Sequence, residues 1–474
     1  MKDQTTARRL RFLVSTLVLV LVFEGLLRKM VGGGFKVAVF FAKDFVVLLM
    51  GILVMNMPKP APIQALWKGY VGLMFLFVPV AIVTYINDPL LAVFGAERYL
   101  LMPMVAFGVY GAFEDAEMEL MLSYVRKLGL LLIPITLLAL VQLRLPVNHW
   151  LNLAVSGESL EGFRAGESET LRVASTFPFV SQFTMYLNAQ VFVCAIALSG
   201  FTRMTTRRKI VYATLPFALL LSSYATGSRG AVIGNAVIAG IALMLAAAKG
   251  QGGGLVKLSV IVMALYLSFF TLKALFPQAF VVYGEREEGH FLSLSSENQE
   301  RTRGMFTDLV TKEAPASLFG YGLGVMSNGS EKLSSYAYTW RRGGFWTETD
   351  YSTTLFEGGI YLMLVWYGFR LWVIAHTTRR ILRGIKGDYA IPAVFCQGFI
   401  ILEGAMGTLG MQPPLAIWWW LAVGLVMLFW QKSTAVAGTG DVILAELEGG
   451  AAVTRPKIRG RSVYAEQLHK SARK

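Results

Sequence analysis

The chain has 474 residues, of which 55% are hydrophobic and only 16% are charged. An average soluble domain carries about 25% charged residues, and a soluble fold of this length could not bury so much apolar surface. The net charge of +14 comes without a basic face on a soluble domain, which argues against a nucleic-acid-binding protein. Cys194 and Cys396 both fall in apolar segments and form neither a disulfide framework nor a metal pattern. The composition therefore predicts an integral membrane protein.

Apolar runs that approach the ~20 residues needed to cross a bilayer follow one another along the chain. The first run follows a basic N-terminus and has no small-residue cleavage site after it, so we interpret it as a retained signal anchor. We predict an all-α, polytopic protein of about twelve transmembrane helices. The predicted spans are 12–27, 37–55, 68–85, 98–113, 128–145, 178–199, 210–225, 230–248, 256–276, 352–375, 389–409 and 413–431.

Four segments follow from these spans. Residues 1–276 hold helices one to nine, with an outer loop at 146–177, and residues 277–350 form a large extracytoplasmic loop between helices nine and ten. Residues 351–431 hold the last three helices. The remaining 432–474 form a basic tail that we predict to be disordered near anionic headgroups.

Basic clusters predict the orientation of the chain. An even number of spans puts both termini on one side, together with two clusters in the loops, and the positive-inside rule assigns that side to the cytoplasm. The clusters are Arg203, Arg207, Arg208 and Lys209, and Arg379, Arg380, Arg383 and Lys386.

Ionisable residues within predicted spans are costly and are often functional. Glu24, Lys43, Asp44 and Glu403 fall in the outer half of the membrane or near its midplane. They indicate either a polar cavity open to the outside or contacts between neighbouring helices. Two further residues near span ends, Lys273 and Arg370, are expected to extend to the membrane surface.

Basic residues also lie on the outer side, against the positive-inside rule. Arg28, Lys29 and Lys36 flank three consecutive glycines, which suits a phosphorylated ligand at the outer interface. Alternatively, Arg28 pairs with Glu24 one turn earlier. Arg229 lies in a tight outer hairpin, where its guanidinium matches either the phosphate oxygens of a substrate or lipid headgroups.

The large loop contributes a second group of residues. Arg301 and Arg303 precede a helical stretch, and the alternating glycines of Gly320-Tyr321-Gly322-Leu323-Gly324 predict a tight turn rather than a nucleotide loop. The loop ends at Glu348, on the rim of the predicted cavity. The aromatic residues Trp346 and Tyr351 suit stacking on sugar faces or an interfacial belt.

Several of these pieces together resemble the superfamily of O-antigen ligases and Wzy-type polymerases. The resemblance covers about residues 170–410. It is carried by Leu171-Arg172-Val173-Ala174-Ser175-Thr176-Phe177, the hairpin Gly227-Ser228-Arg229-Gly230-Ala231, the glycine turn at 320–324 and the stretch Glu348 to Ile360. It implies a GT-C-like helical bundle in the bacterial inner membrane, with both termini cytoplasmic and the active site extracytoplasmic. It also implies an undecaprenyl-diphosphate-linked glycan as donor, and inverting glycosyl transfer without a metal or another cofactor.

The resemblance also implies roles for single residues. Arg172 and Arg229 would hold the diphosphate, assisted by Arg28, Lys29, Arg301 and Arg303; Glu348 would be the general base; Tyr351 and Trp346 would contact the acceptor sugar. Asp350 is the main competitor of Glu348 for the role of base. The implied partners are the lipid-linked oligosaccharide, the bilayer, and assembly proteins such as a flippase and a chain-length regulator.

Three alternatives remain open at this stage. The ligase pattern has His-Asn where this chain has Glu348 and Thr349, which favours a polymerase over an O-antigen ligase acting on lipid A-core. A transporter would place charges near the membrane midplane on broken helices. A non-catalytic scaffold leaves the outer arginines and Glu348 unexplained.

Overall fold

The structure is a computed structural model that describes residues 4–155, 172–200, 204–250, 269–270, 273–277, 280, 318–327, 329–342 and 349–448. Over these ranges the regular structure is helical, with no strand. Eight helices are long and apolar enough to cross a membrane, and a bent helix pair can provide one more span. The chain is thus a polytopic α-helical membrane protein. The predicted span 256–276 and most of the predicted loop 277–350 lie outside the described residues.

The helices in the first half of the chain cover the predicted spans, although α4 and α6 lie mostly outside them. They are α1 (Gln4–Met30), α2 (Phe35–Met55), α3 (Ala61–Asn87), α4 (Pro89–Leu100), α5 (Met104–Phe113), α6 (Met118–Gly129) and α7 (Leu132–Arg144). The second half contains α8 (Val180–Leu198), α9 (Thr206–Ala225), α10 (Arg229–Ala248), α11 (Ser330–Leu333), α12 (Ser335–Arg342), α13 (Asp350–Gly384), α14 (Ala390–Met406) and α15 (Pro413–Glu448).

The chain divides into two compact units at residue 433. The first unit, Met1–Ser433, holds the helical bundle. The second, Thr434–Lys474, contains the last turns of α15, which continue to Glu448 beyond the predicted end of the span at residue 431. Residues 449–474 of the predicted tail lie outside the described residues.

Two apolar runs are interrupted within the bundle. The pair α4 and α5 bends by 44°. The first helix of this pair, α4, follows Asp88, whose carboxylate caps it by accepting a hydrogen bond from the backbone N–H of Leu91 at 3.0 Å, with Pro89 in the first turn. Helix α13 is broken at Gly359, which has φ 64° and ψ −166°. Such breaks persist in an apolar bundle only where other protein groups satisfy the freed backbone.

Contacts between non-neighbouring helices define two ends of the bundle. At one end Lys249 donates to the carbonyl oxygens of Ile381 and Ile385, both at 2.6 Å, which joins the ends of α10 and α13. This end also carries the described basic clusters at 207–209 and 379–386, and we call it the basic end. At the other end, the backbone N–H of Leu26 in α1 donates to the carbonyl of Thr176, just before α8, at 2.8 Å. The α1–α2 and α9–α10 turns lie at this hairpin end.

Candidate functional site

A row of charged side chains crosses the bundle from α1 to α2 near the hairpin end. Glu24 in α1 is 1% exposed and pairs with Arg28 at 3.2 Å and with Lys43 of α2 at 3.6 Å. Lys43 also lies 3.6 Å from Asp44 and donates to the carbonyl of Phe40. Each charge therefore has an opposite partner, as a buried charge requires. The sequence left two interpretations of these residues, a polar cavity and contacts between neighbouring helices. The structure shows contacts between α1 and α2.

Helix α4 extends this row with residues that the sequence analysis did not single out. The Glu97 side chain contacts Asp44. Arg98, also buried, donates to the carbonyl of Met411 at 3.3 Å and interacts electrostatically with Glu357. The span predicted at 98–113 leaves residues 89–97 of α4 outside the membrane-spanning segments. The sequence does carry a signal for these residues. Asp88-Pro89 is a typical helix start, and Glu97-Arg98 places two charges in the apolar segment that follows it.

Glu357 occupies the centre of a second polar cluster, between α13, α4 and the glycine turn. The Glu357 carboxylate accepts the backbone N–H of Met326 at 3.0 Å and the hydroxyl of Tyr99 at 3.2 Å, and it is fully buried. The backbone N–H of Gly322 donates to the Glu357 carbonyl at 2.9 Å. The predicted tight turn is present, and the side chain that holds it is a carboxylate to which the sequence analysis gave no role.

The glycines of this turn are required by its geometry. Gly320, Gly322 and Gly324 have φ values of 66°, 126° and 81°, which L side chains rarely adopt. A Cβ on Gly324 would also lie 2.9 Å from the Cα of Gly95 in α4. The turn is thereby seated directly on α4 and on the first turns of α13.

A third polar cluster surrounds Asp350, at the start of α13. The Asp350 Oδ2 atom lies 2.5 Å from Arg370 Nη1 and accepts the hydroxyl of Tyr367 at 3.0 Å, while Oδ1 accepts the backbone N–H of Gly410 at 2.9 Å. Arg370 also donates to three carbonyl oxygens, of Glu403, Gly404 and Gly407. The expectation that Arg370 extends to the membrane surface is wrong, because the side chain is fully buried in this cluster.

Three residues predicted to bind the diphosphate lie in one neighbourhood of the hairpin end. Arg28 is engaged by Glu24, and Lys29 donates to the carbonyl of Leu151 at 2.7 Å. The segment that begins at Arg172 packs against the same end of α1 through the bond between Leu26 and Thr176. Arg172 is half-buried. The neighbourhood is strongly basic, and all three side chains also interact within the protein.

Arg229 is the first residue of α10, after the Ser228 N-cap position. It is half-buried and, within the described part of the chain, its guanidinium has neither a hydrogen bond nor an ion pair. The neighbouring Gly230 faces Thr184 in the first turns of α8, since a Cβ there would lie 3.4 Å from the Thr184 methyl carbon. A cation at a helix N-terminus, beside free backbone N–H groups, makes a position that favours an anionic ligand.

Tyr351 packs against other residues of the bundle. Its ring stacks on Tyr367 at 4.5 Å between centroids, and its hydroxyl donates to the carbonyl of Ala405 at 2.5 Å. The predicted base Glu348 lies outside the described residues, as do Trp346, Arg301 and Arg303. Thr349, the residue after Glu348, caps α13 by accepting the N–H of Ser352 at 3.2 Å. The chain at position 349 is therefore anchored to the bundle.

Comparisons of this chain with protein families, with curated proteins and with solved structures find no match.

Proposed function

We propose that this chain is a polysaccharide polymerase of the bacterial inner membrane, with a GT-C-like bundle of about twelve helices. It transfers an undecaprenyl-diphosphate-linked glycan repeat onto another lipid-linked glycan at the outer face, by inverting glycosyl transfer without a metal. The basic end of the bundle faces the cytoplasm, as does the C-terminal tail, and the hairpin end faces the outside. The proposal builds on the motif resemblance and on the placement of the arginines.

The observation that carries the proposal is the contrast between Arg229 and the other arginines of the bundle. Arg98, Arg126 and Arg370 are buried, and the guanidinium of each donates to carboxylate or carbonyl oxygens of the protein, although the Nε atoms of Arg98 and Arg126 have no acceptor. Arg229 is half-buried at a helix N-terminus and has no such partner among the described residues. A half-buried guanidinium at a helix N-terminus, with no acceptor in the described part of the protein, is suited to two phosphate oxygens.

In the proposed reaction, an acceptor hydroxyl attacks the anomeric carbon of the donor sugar. The new glycosidic C–O bond forms as the bond from that carbon to the phosphate oxygen breaks, and undecaprenyl diphosphate leaves with the electron pair. Glu348 takes the hydroxyl proton from the face opposite the leaving group, as inversion requires. Arg229 and Arg172, assisted by Arg28, Lys29, Arg301 and Arg303, offset the charge that grows on the diphosphate. Trp346 and Tyr351 contact the acceptor sugar.

The test is product formation by purified protein in vesicles that contain the lipid-linked repeat. Arg229→Lys keeps the charge but loses the pair of N–H donors that can bind two phosphate oxygens at once. We expect turnover to fall about a hundredfold, since one oriented charge contributes about 2.7–4 kcal/mol to such a barrier. Arg208→Lys is the matched control, because Arg208 is an exposed arginine in the first turn of α9 at the basic end. Full activity of a well-expressed Arg229→Ala protein would instead assign Arg229 to lipid headgroups.

A deletion strain separates the polymerase from the ligase. Accumulation of single repeats on the lipid supports a polymerase, because the missing step then precedes chain growth. Accumulation of full-length lipid-linked polymer supports a ligase, because only the final transfer is then missing.

A transporter is the second candidate, and one observation favours it. The bend between α4 and α5 follows the buried Arg98, and the break at Gly359 in α13 follows the buried Glu357, with which Arg98 interacts electrostatically. Charged groups beside discontinuous helices are typical of transporters. A transporter would move the lipid-linked oligosaccharide across vesicles without lengthening it. A polymerase would lengthen it in vesicles where all the donor is already outside.

A further inference from the structure

Ser175 is the non-glycine residue with a positive φ, 51°, in the part of the chain that the structure describes. The left-handed region is unfavourable for a residue with a Cβ, so neighbouring groups must hold the backbone there. Ser175 follows Arg172 by three residues, and both Val173 and Ala174 between them are buried. Whatever fixes Ser175 therefore also fixes the stretch of backbone that carries Arg172.

The side chain of Gln142 in α7 holds Ser175 from both sides. The backbone N–H of Ser175 donates to Gln142 Oε1 at 2.8 Å, and Gln142 Nε2 donates to the Ser175 carbonyl at 3.2 Å. The Ser175 hydroxyl adds a third bond by donating to the carbonyl of Ile135, also in α7, at 2.8 Å. Gln142 is 1% exposed, so no water replaces these bonds.

The same amide group reaches the loop that Lys29 contacts. Gln142 Nε2 donates to the carbonyl of Leu151 at 2.9 Å, and Lys29 Nζ donates to that same oxygen at 2.7 Å. Asn152 secures the loop by donating to the Gln142 carbonyl at 3.2 Å. One buried side chain thus links the segment of Arg172 with the position of Lys29.

We propose that Gln142 is a positioning residue for the diphosphate of the lipid-linked donor. By clamping Ser175 it sets the backbone that presents Arg172, and through Leu151 it sets Lys29 relative to that arginine. Diphosphate binding depends on this geometry, because a bidentate guanidinium contact tolerates little displacement. The inference rests on the proposed function, since it assigns the ligand of Arg172 and Lys29.

The experiment measures binding of inorganic pyrophosphate to the purified full-length protein by titration calorimetry. We expect Gln142→Ala and Gln142→Asn, whose amide is one methylene too short to reach both groups of Ser175, to weaken pyrophosphate binding at least fivefold. Adding Ser175→Gly to Gln142→Ala should restore much of the affinity, because glycine adopts a φ near 51° without the clamp. A merely structural role for Gln142 would not be rescued in binding by this second substitution.

Thr136→Val is the matched control. Thr136 is a buried polar residue on the same helix, but it lies 2.7 Å from the hydroxyl of Ser222 in α9 and does not contact Ser175. It should lower the melting temperature and leave pyrophosphate affinity unchanged. Wild-type affinity in both Gln142 variants, or failure of Ser175→Gly to restore binding, would overturn the inference alone. A wild-type protein that does not bind pyrophosphate would overturn the proposed donor site together with it.

Discussion

Asp350 accepts hydrogen bonds at both carboxylate oxygens, and this argues against Asp350 as the general base. Oδ2 is engaged by Arg370 and Tyr367, and Oδ1 by the backbone N–H of Gly410. A general base needs an oxygen within hydrogen-bond reach of the substrate proton. The geometry assigns Asp350 to holding α13 against the α14–α15 loop, which leaves Glu348 as the better choice for the base.

Breaking the Asp350–Arg370 pair should be costly. Asp350→Asn leaves the Arg370 guanidinium buried without its counter-charge, and removal of one partner of a buried pair costs about 3–5 kcal/mol. We expect a clear drop in melting temperature and in the yield of folded protein. Asp115→Asn, at an exposed aspartate in the loop before α6, is the control and should change the melting temperature little. Equal behaviour of the two variants would show that the pair does not stabilise the fold.

Glu348→Gln tests the base directly. The amide keeps the size of the side chain but cannot take a proton, so turnover should fall by about 10²–10⁴ while donor binding survives. Glu331→Gln, on α11 of the same outer segment, is the control. Near-normal product formation by Glu348→Gln would remove the base assignment and leave Glu348 as a residue that only holds the loop, for example by pairing with Arg341 or Arg342.

At the scale of elements, hydropathy predicts where helices run but not where they break. The predicted span 37–55 matches α2, Phe35–Met55, within two residues. The predicted span 98–113 covers α5 but misses most of α4, whose last turn carries the charged pair Glu97 and Arg98. The break at Gly359 in α13 cannot be predicted from hydropathy either, since glycine also occurs in unbroken spans.

The break in α13 can be tested by comparing the thermal stability of alanine variants at two glycines of this helix, Gly359 and Gly368. Gly359→Ala forces a Cβ into the left-handed region, a strain of about 1–3 kcal/mol, and places it 2.1 Å from the carbonyl oxygen of Leu318. We expect a large loss of thermal stability, together with release of the glycine turn from α13. Gly368→Ala, on the exposed face of the same helix with open space around it, should be neutral or slightly stabilising. Similar melting temperatures for the two variants would contradict the observed break.

Over the described part of the molecule, the sequence predicts most of the long apolar helices but little of the polar interior. Glu24, Lys43, Asp44 and Glu403 stand out as charges in apolar runs. The pairing of Glu24 with Arg28 follows from their helical spacing, but the contacts of Glu24 with Lys43 and of Glu403 with Asn188 cannot be identified from spacing. Arg370 pairs with Asp350 twenty residues earlier, and Tyr99 binds Glu357 across 258 positions. The first pair joins the two parts of α13 on either side of the break at Gly359, and the second joins two different helices. Both depend on how the bundle packs, which residue spacing does not predict.

The orientation of the bundle is testable because both native cysteines, Cys194 and Cys396, are buried. Single cysteines can therefore be introduced into the otherwise natural chain and labelled with a maleimide that does not cross the inner membrane. Lys332→Cys in α11, at the hairpin end, should react in cells whose outer membrane alone is permeabilised. Arg208→Cys, at the basic end, should react only after the inner membrane is disrupted, and the natural chain should stay unlabelled in both. Lys332 lies close to α4, where Ser334 bonds the capping Asp88, so its label reports the side that carries the proposed donor site. Labelling of Lys332→Cys only after disruption would place that site on the cytoplasmic face, where the proposed outer-face polymerisation cannot occur.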